Sequence, residues 1–295
     1  MGVSRSMRIV AVGTTSREVV RALGLGAAMV DAPSFWADAW GASSACALAP
    51  YVEGHPNPSA TRDWADAVSR LAPHAVVADV ACTTCLNDGV HKSWAGPPRL
   101  IAIGRPALAD CLNLLTVVGA ILGAQEQAAI EVKQRAARLL ALRMHVARYL
   151  IRTPGAIRPV TLALDFDAGL WRVRDDRRSD ELIDAAGGVA ASLPARSIVQ
   201  DVDIARASVD VVLAGSEVAT TTSPEVTRAV DSIVHWAPSV WHADWSALVR
   251  SSGPSIVDAV ESTLRAVFPV CLGANGTPPD PASYRRAAVR GPDVN

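Results

Sequence analysis

The stretch AQEQAAIEVKQRAARLLALRMHVARYLIR, from Ala124 to Arg152, decides the fold. It contains no glycine or proline, whereas Gly123 precedes it and Pro154-Gly155 follows shortly after it. Strong helix formers dominate, and apolar residues recur at helical spacing between charged ones. At about 1.5 Å per residue the predicted helix is roughly 40 Å long. Strands and helices alternate on each side of it, which predicts two α/β lobes joined by one rigid helix. The alternative is a long helix packed on a single domain.

This helix sets the predicted domain organisation. An N-terminal α/β lobe covers residues 1–123, the inter-lobe helix residues 124–153, and a C-terminal α/β lobe with a polar tail residues 154–295. Alternating strands and helices predict a mainly parallel, Rossmann-like sheet in each lobe. Ligands bind beyond the carboxyl ends of strands in such sheets, so we expect a ligand cleft between the lobes. The predicted strands are 8–13, 27–30, 75–80, 100–103, 160–164, 209–214 and 240–244.

Several local signals complete this prediction. Thr15 followed by Glu18 has the spacing of a helix-capping box. Residues 165–178 are predicted to form a loop, and Ser179 to cap the helix after it. The proline-rich tail from Gly273 is predicted to fray.

Composition and charge exclude several classes of protein. The formal net charge is −1, so the composition gives no sign of the positively charged surface that binds nucleic acid. No run of lysine or arginine indicates binding to a membrane surface. The longest apolar run, 112–122, is too short to span a bilayer. The polar start, 1–7, leads directly into a strand without a leader peptide, which predicts a cytoplasmic protein unless a leader has been removed. Five cysteines, an odd number, favour reduced thiols.

Aromatic residues near strand ends supply the candidate ligand site. Tryptophan offers a large contact area at low entropic cost, which suits a bulky and partly planar ligand. The alternative for each tryptophan is a cover over the core. The predicted ligand-binding residues are Thr15, Ser16, Trp36, Trp40, His55, Trp94, Trp171 and Trp241.

The sequence Cys82-Thr83-Thr84-Cys85 follows a predicted strand and is expected to face the cleft. Two thiols at this spacing can ligate a metal or form a redox pair. A zinc site needs further ligands, for which Cys46, His55 and His91 are candidates. The alternative is that both cysteines pack as small hydrophobic residues, and no metal site is assigned.

Acid–base chemistry has three candidate residues. Asp165 and Asp167 end a predicted strand, and His242 lies between Trp241 and Asp244. Carboxylates and imidazole at a strand end can move protons, whereas solvated loop acids and a packed histidine are the alternatives. The sequence contains no nucleophile elbow, phosphate loop or dinucleotide fingerprint, and it identifies no cofactor.

The order of several motifs resembles the class III periplasmic solute-binding proteins, in particular their cobalamin- and siderophore-binding branch. The resemblance covers about residues 8–269, and its most specific part is the second-lobe signature that begins at Leu170. The matching segments are RIVAVG (8–13), GHPNP (54–58), LAPHAVV (71–77), LW (170–171) with DELIDAAGG (180–188), and GPSIVDAV (253–260).

This resemblance implies a corrinoid, tetrapyrrole or metal-chelate ligand gripped between two lobes, and an ABC transporter as partner if the protein is exported. The family docks to its transporter through one glutamate per lobe. The corresponding positions here hold Asp66 and Val202, with Asp201 and Asp203 as substitutes for the second. The missing leader and the replaced glutamate motivate an alternative: a cytoplasmic biosynthetic enzyme that reuses this scaffold for acid–base or cysteine chemistry on an aromatic substrate.

Overall fold

The structure is a computed structural model that divides into two compact units, Met1–Arg135 with Ser252–Pro254, and Ala136–Ser251 with Ser255–Asn295. The boundary lies inside the long helix, and the predicted lobe limits at residues 123 and 154 stay a prediction. The residues that the structure describes are 7–30, 72–79, 99–103, 107–174, 177–194, 197–216, 223–244, 253–269 and 284–286.

The first unit contains a parallel sheet of β1 (Ile9–Val12), β2 (Ala75–Asp79) and β3 (Arg99–Ile103), in that order among the described strands. Ile9 is in register with Ala75, and Ala75 with Arg99. Both faces of a parallel sheet are covered by other elements, which explains the apolar runs IVAV and RLIAI. The core of this unit contains Ile9, Val77, Ile101, Leu115 and Val118.

The helices of the first unit differ from the prediction in detail. Helix α1 (Thr14–Ala22) has Gly13 as its N-cap residue and no side-chain cap, so the predicted Thr15–Glu18 capping box is wrong. The predicted strand 27–30 is a 3₁₀ turn, Gly26–Ala28, followed by a single bridge from Met29 to β1. Helix α2 (Asn113–Leu122) follows a second 3₁₀ turn, Leu108–Asp110.

Helix α3 (Gln125–Arg152) is continuous for 28 residues, which confirms the helix predicted from the sequence. Gly123, in the left-handed conformation with φ +74°, ends α2 directly before it. Alanine would be strained there, which explains the glycine. No helix among the described residues is long and apolar enough to cross a membrane.

The second unit is built on a larger mixed sheet. Its central strands β4 (Val160–Asp167), β7 (Val211–Gly215) and β8 (Ser239–Ala243) are parallel. The strands β5 (Leu170–Val173) and β9 (Tyr284–Arg286) pair antiparallel with β4 and β8. The order is β5-β4-β7-β8-β9, and the short β6 (Val189–Ala190) also pairs with β4.

Two predictions for this unit are wrong. Residues 165–178 are not a loop, because β4 continues to Asp167 and forms a hairpin with β5. The turn residues Ala168 (φ +49°) and Gly169 (φ +80°) both have positive φ, as the favoured two-residue hairpin turns require. The tail does not fray throughout, because residues 284–286 pair with β8.

The second unit also contains α4 (Arg177–Ala185), α5 (Asp201–Arg206), α6 (Pro224–Ser232) and α7 (Ile256–Val267). Helix α4 begins two residues before Ser179, which is buried inside it and is not the predicted cap. Gln200 and Asp203 form a reciprocal capping box at α5. One core cluster of this unit contains Leu162, Leu164, Trp171, Val212, Val226 and Val240.

Ion pairs connect α3 to α7 within the second unit. Arg138 donates hydrogen bonds to Asp258 (2.7 Å from Nη1) and to Glu261 (3.0 Å from Nε). Arg265 also pairs with Glu261 at 2.5 Å. Burial alone raises the pKa of Glu261, but the hydrogen bond and charge of Arg138, followed by those of Arg265, lower the pKa further than burial raises it. The same hydrogen bond with Glu261 raises the pKa of Arg138.

This lowered pKa predicts an acid-dependent loss of stability. The folded protein favours the Glu261 carboxylate, so its contribution is present above the unfolded pKa near 4.5 and is lost as the pH falls through the folded pKa. We expect Glu261→Gln to lower the free energy of unfolding by up to about 1 kcal/mol at neutral pH, and by progressively less as the pH falls below 4.5 and through the folded pKa. Urea unfolding of both proteins across this range measures the difference. A difference that does not change with pH would contradict the assignment.

Candidate functional site

In the first unit, the turn from β1 into α1 lies at the carboxyl edge of the sheet. Gly13, the N-cap residue, has φ +105°, and the helix begins immediately after it. Thr15 and Ser16 are both buried. A Cβ atom on Gly253 would lie 3.2 Å from Thr15 Cγ2, so residue 253 packs closely against this turn. Both predicted ligand residues are therefore buried at this turn, and their role in ligand binding stays a prediction.

The second unit places polar residues at three neighbouring strand ends. Asp165 on β4 is in register with Gly215 on β7, which is in register with Ala243 on β8. The next residues along β7 and β8 are Ser216, which is buried, and Asp244, which is half-buried. The register therefore brings Asp165, Ser216 and Asp244 to one edge of the sheet, where ligands of open α/β sheets bind.

Arg172 lies beside this edge, and the sequence analysis missed it. Arg172 on β5 is the cross-strand partner of Asp165, and its buried Nε has no hydrogen-bond partner among the described residues. Arg174 and Arg178 follow along the chain and are buried, each 8% exposed. Arg178 Nη1 lies 3.6 Å from Glu181 Oε2. The available sequence signal was the alternation of arginine with Trp171 and Val173, which indicates a strand with one polar face.

The two described candidate tryptophans belong to the interior. Trp171 is buried in the core cluster, and its ring centroid lies 5.0 Å from that of Phe166. Trp241 is also buried, and its Nε1 donates a hydrogen bond to Ser239 Oγ at 2.8 Å. Their observed contacts are those of core residues, and their role in ligand binding stays a prediction.

The acid–base candidates are not equivalent. His242 is buried, and its Nε2 lies 3.4 Å from Asp231 Oδ1 on α6. Asp165 is half-buried where the parallel pairing of β4 with β7 ends, whereas Asp167 is exposed beside the hairpin turn. The backbone register places His242 beside Ala214, one residue before the edge that holds Asp165. Catalysis by these residues stays a prediction.

The remaining predicted site residues lie outside the described part of the chain. They include both cysteines of the CTTC motif and the residues expected to join them. These residues are Trp36, Trp40, Cys46, His55, Asp66, Cys82, Cys85, His91 and Trp94.

No group of three or more histidine, cysteine, aspartate or glutamate side chains suited to a metal ion occurs among the described residues. At the predicted transporter-docking position, Val202 is 43% exposed on α5. Asp201 beside it is exposed, whereas Asp203 is half-buried and caps the helix. Asp201 is therefore the more exposed of the two neighbouring carboxylates, and a docking role stays a prediction.

Comparison with known proteins extends the description of the fold. No protein-family model and no curated protein sequence matches the chain. Solved structures do match over nearly the whole chain. A periplasmic haem-binding protein from Pseudomonas aeruginosa is 17% identical with a TM-score of 0.64, covering 97% of this chain and 99% of that one. The periplasmic haem-binding protein RhuT from Roseiflexus sp. RS-1 is 19% identical with a TM-score of 0.57, covering 90% and 99%.

An ABC transporter substrate-binding protein from Listeria monocytogenes EGD-e is 15% identical with a TM-score of 0.59, covering 89% of this chain and 99% of that one. The chain therefore has the fold of the class III periplasmic solute-binding proteins, as the resemblance predicted. The names of these structures refer to binding and transport, and they give no support to the alternative of a cytoplasmic biosynthetic enzyme.

Proposed function

We propose that the protein binds a tetrapyrrole-class metal chelate, with haem as the first candidate, and delivers it to an ABC importer. The observation that carries this proposal is the fold: structures named as haem-binding proteins share it over nine-tenths or more of this chain. A binding role also fits a scaffold whose described polar residues converge at strand ends without a phosphate loop or nucleophile elbow.

The arginine-bearing edge of the second unit supports an anionic ligand. The buried Nε of Arg172 has no acceptor among the described residues, and a buried donor without an acceptor costs about 1–3 kcal/mol. A ligand carboxylate would supply a charge-assisted hydrogen bond at this position. Haem carries two carboxylates, whereas the rim of a corrinoid carries mainly amides. This difference favours haem over a corrinoid as the first ligand to test.

Transport requires export and a docking surface. Proteins of the same fold are named as periplasmic, which favours the exported protein over the cytoplasmic one predicted from the sequence. We infer that Asp201, exposed on α5, provides the second-unit docking carboxylate in place of Val202. The partners are then a small-molecule ligand and an ABC importer, with no nucleic acid.

Titration of the purified protein with haemin, cobalamin and a ferric siderophore tests the proposal. We expect haemin to bind with a Kd far below 100 μM, which corresponds to about −5.5 kcal/mol, and to shift its visible absorption. Arg172→Ala should weaken haemin binding about tenfold or more, because it removes a charge-assisted hydrogen bond.

Arg228→Ala is the matched control, since Arg228 is exposed in the same unit and its Nε contacts only the Pro224 carbonyl among the described residues. We expect this variant to bind haemin like the unmodified protein. Binding of none of the three ligands below about 100 μM would reject the proposed ligand class. If haemin binds tightly and Arg172→Ala does not change its affinity, haem remains the ligand but Arg172 does not contact it.

A further inference from the structure

The outward face of the second half of α3 is apolar. Leu142 and Val146 are buried in the second unit, as expected for the inner face of an amphipathic helix. On the opposite side, Leu140, Met144 and Ile151 are 62%, 44% and 83% exposed. At 100° per residue these three side chains fall within about 40° of one another, so they form one stripe roughly 16 Å long. We call this stripe the outer apolar stripe.

Positive charge flanks the stripe on both sides. Arg143 lies about 60° to one side of Leu140, and Arg148 and Arg152 lie about 80° and 120° to the other. All three arginines are exposed, and none forms an ion pair with a described residue. Arg138 is separate from this group, because it points toward α7 and pairs with Glu261.

The composition of this half of the helix restricts what covers it. Residues 136–152 contain no aspartate, glutamate, asparagine, glutamine, serine or threonine. An interface between two proteins normally contains about one hydrogen bond per 100–200 Å² and has a rim of mixed polarity. A second copy of this chain would bring the same arginines toward one another. Charge complementarity with the arginines therefore favours a binding partner whose surface is both anionic and apolar.

We propose that the outer apolar stripe and its flanking arginines bind the surface of an anionic lipid bilayer. Helices that lie in the membrane interface combine exposed apolar side chains with neighbouring lysine or arginine, and this half of α3 exposes both. Leu140, Met144 and Ile151 would enter the headgroup region, while Arg143, Arg148 and Arg152 contact lipid phosphates. This association is peripheral.

Co-sedimentation with vesicles tests the proposal on the full chain. We expect binding to vesicles of equal parts phosphatidylglycerol and phosphatidylcholine, and none to pure phosphatidylcholine. The triple variant R143Q/R148Q/R152Q should lower the vesicle partition coefficient about a hundredfold, at about fivefold per arginine. L140S/I151S should lower it about tenfold with the charges intact. Raising the salt to about 1 M should abolish binding, because the Debye length falls to about 3 Å.

The matched control is R21Q/R206Q/R228Q, which removes the same charge from exposed positions on α1, α5 and α6. This control should bind vesicles like the unmodified protein, and circular dichroism should show that every variant is folded. Equal loss in the control, equal binding to neutral vesicles, or no binding to anionic vesicles would overturn the proposal. A concentration-dependent dimer that the stripe variants disrupt, without vesicle binding, would instead make this face an interface between copies and would also overturn it.

Discussion

Replacement of Gly187 by alanine is expected to lower the free energy of unfolding of the second unit by about 2–4 kcal/mol, from backbone strain and overpacking together. Gly187 ends α4 with φ +88°, a conformation that L-residues rarely adopt. An added Cβ would lie 2.7 Å from Val146 Cγ1 and 3.1 Å from Phe268 Cε2. These atoms belong to packed side chains of α3 and of the residue after α7, so relief requires movement of the core.

Gly155→Ala separates the two causes. Gly155 has a similar φ of +77°, but an added Cβ would meet nothing within 4 Å. We expect Gly155→Ala to lower the free energy of unfolding only by the backbone strain, about 1–2 kcal/mol. Urea unfolding, with hydrogen exchange followed in α4 and α7, measures both variants. Equal losses for the two would show that the close approach of Val146 to Gly187 contributes nothing.

The elements predicted best from the sequence are those with a strong local signal. The helix Gln125–Arg152 has good helix formers throughout and helix-ending residues on both sides, so its limits were predicted within one residue. The strands Ala75–Asp79 and Val211–Gly215 consist almost entirely of apolar residues, as is typical of buried parallel strands. At these elements the secondary structure that the local sequence favours is also the one that the tertiary fold requires.

The hairpin β4–β5 was missed although its signal is present. The sequence LDFDAGLWRV alternates between the core and a polar face, and Ala168-Gly169 forms the two-residue turn. Its acidic and basic residues were interpreted as a loop because they lie on the polar face of the strands. The missed arginine at position 172 follows from the same error.

Other differences have no local signal. The strand Tyr284–Arg286 follows a proline- and glycine-rich stretch, and it exists because the edge of β8 is available for pairing. A ligand-binding role was predicted for Trp171 from its position after a strand. Its burial depends on the hairpin that places it against Phe166, which that position does not reveal. The arginines that flank the outer apolar stripe were overlooked because they are spaced along a helix and do not form a run in the sequence.

Replacement of Trp241 by alanine is expected to destabilise the second unit by about 3–5 kcal/mol, the usual cost of emptying a buried tryptophan site. Trp241 is 2% exposed, and its strand lies between β7 and β9. Its position near the end of a predicted strand had indicated a ligand-binding role, whereas in the structure it is surrounded as a core residue is. The free energy of unfolding, with hydrogen exchange in β7 and β8, is the appropriate measurement.

Two further variants separate packing, hydrogen bonding and ligand contact at Trp241. Ser239→Ala removes the acceptor 2.8 Å from the indole Nε1 and should cost about 1–3 kcal/mol, because it leaves a buried donor unsatisfied. Trp241→Phe retains most of the buried volume, so we expect an intermediate loss of stability and unchanged haemin affinity. If Trp241→Phe instead weakens haemin binding tenfold while the free energy of unfolding stays constant, Trp241 touches the ligand. The core assignment would then be wrong, because a residue that only fills the interior affects binding through the stability of the unit that contains it.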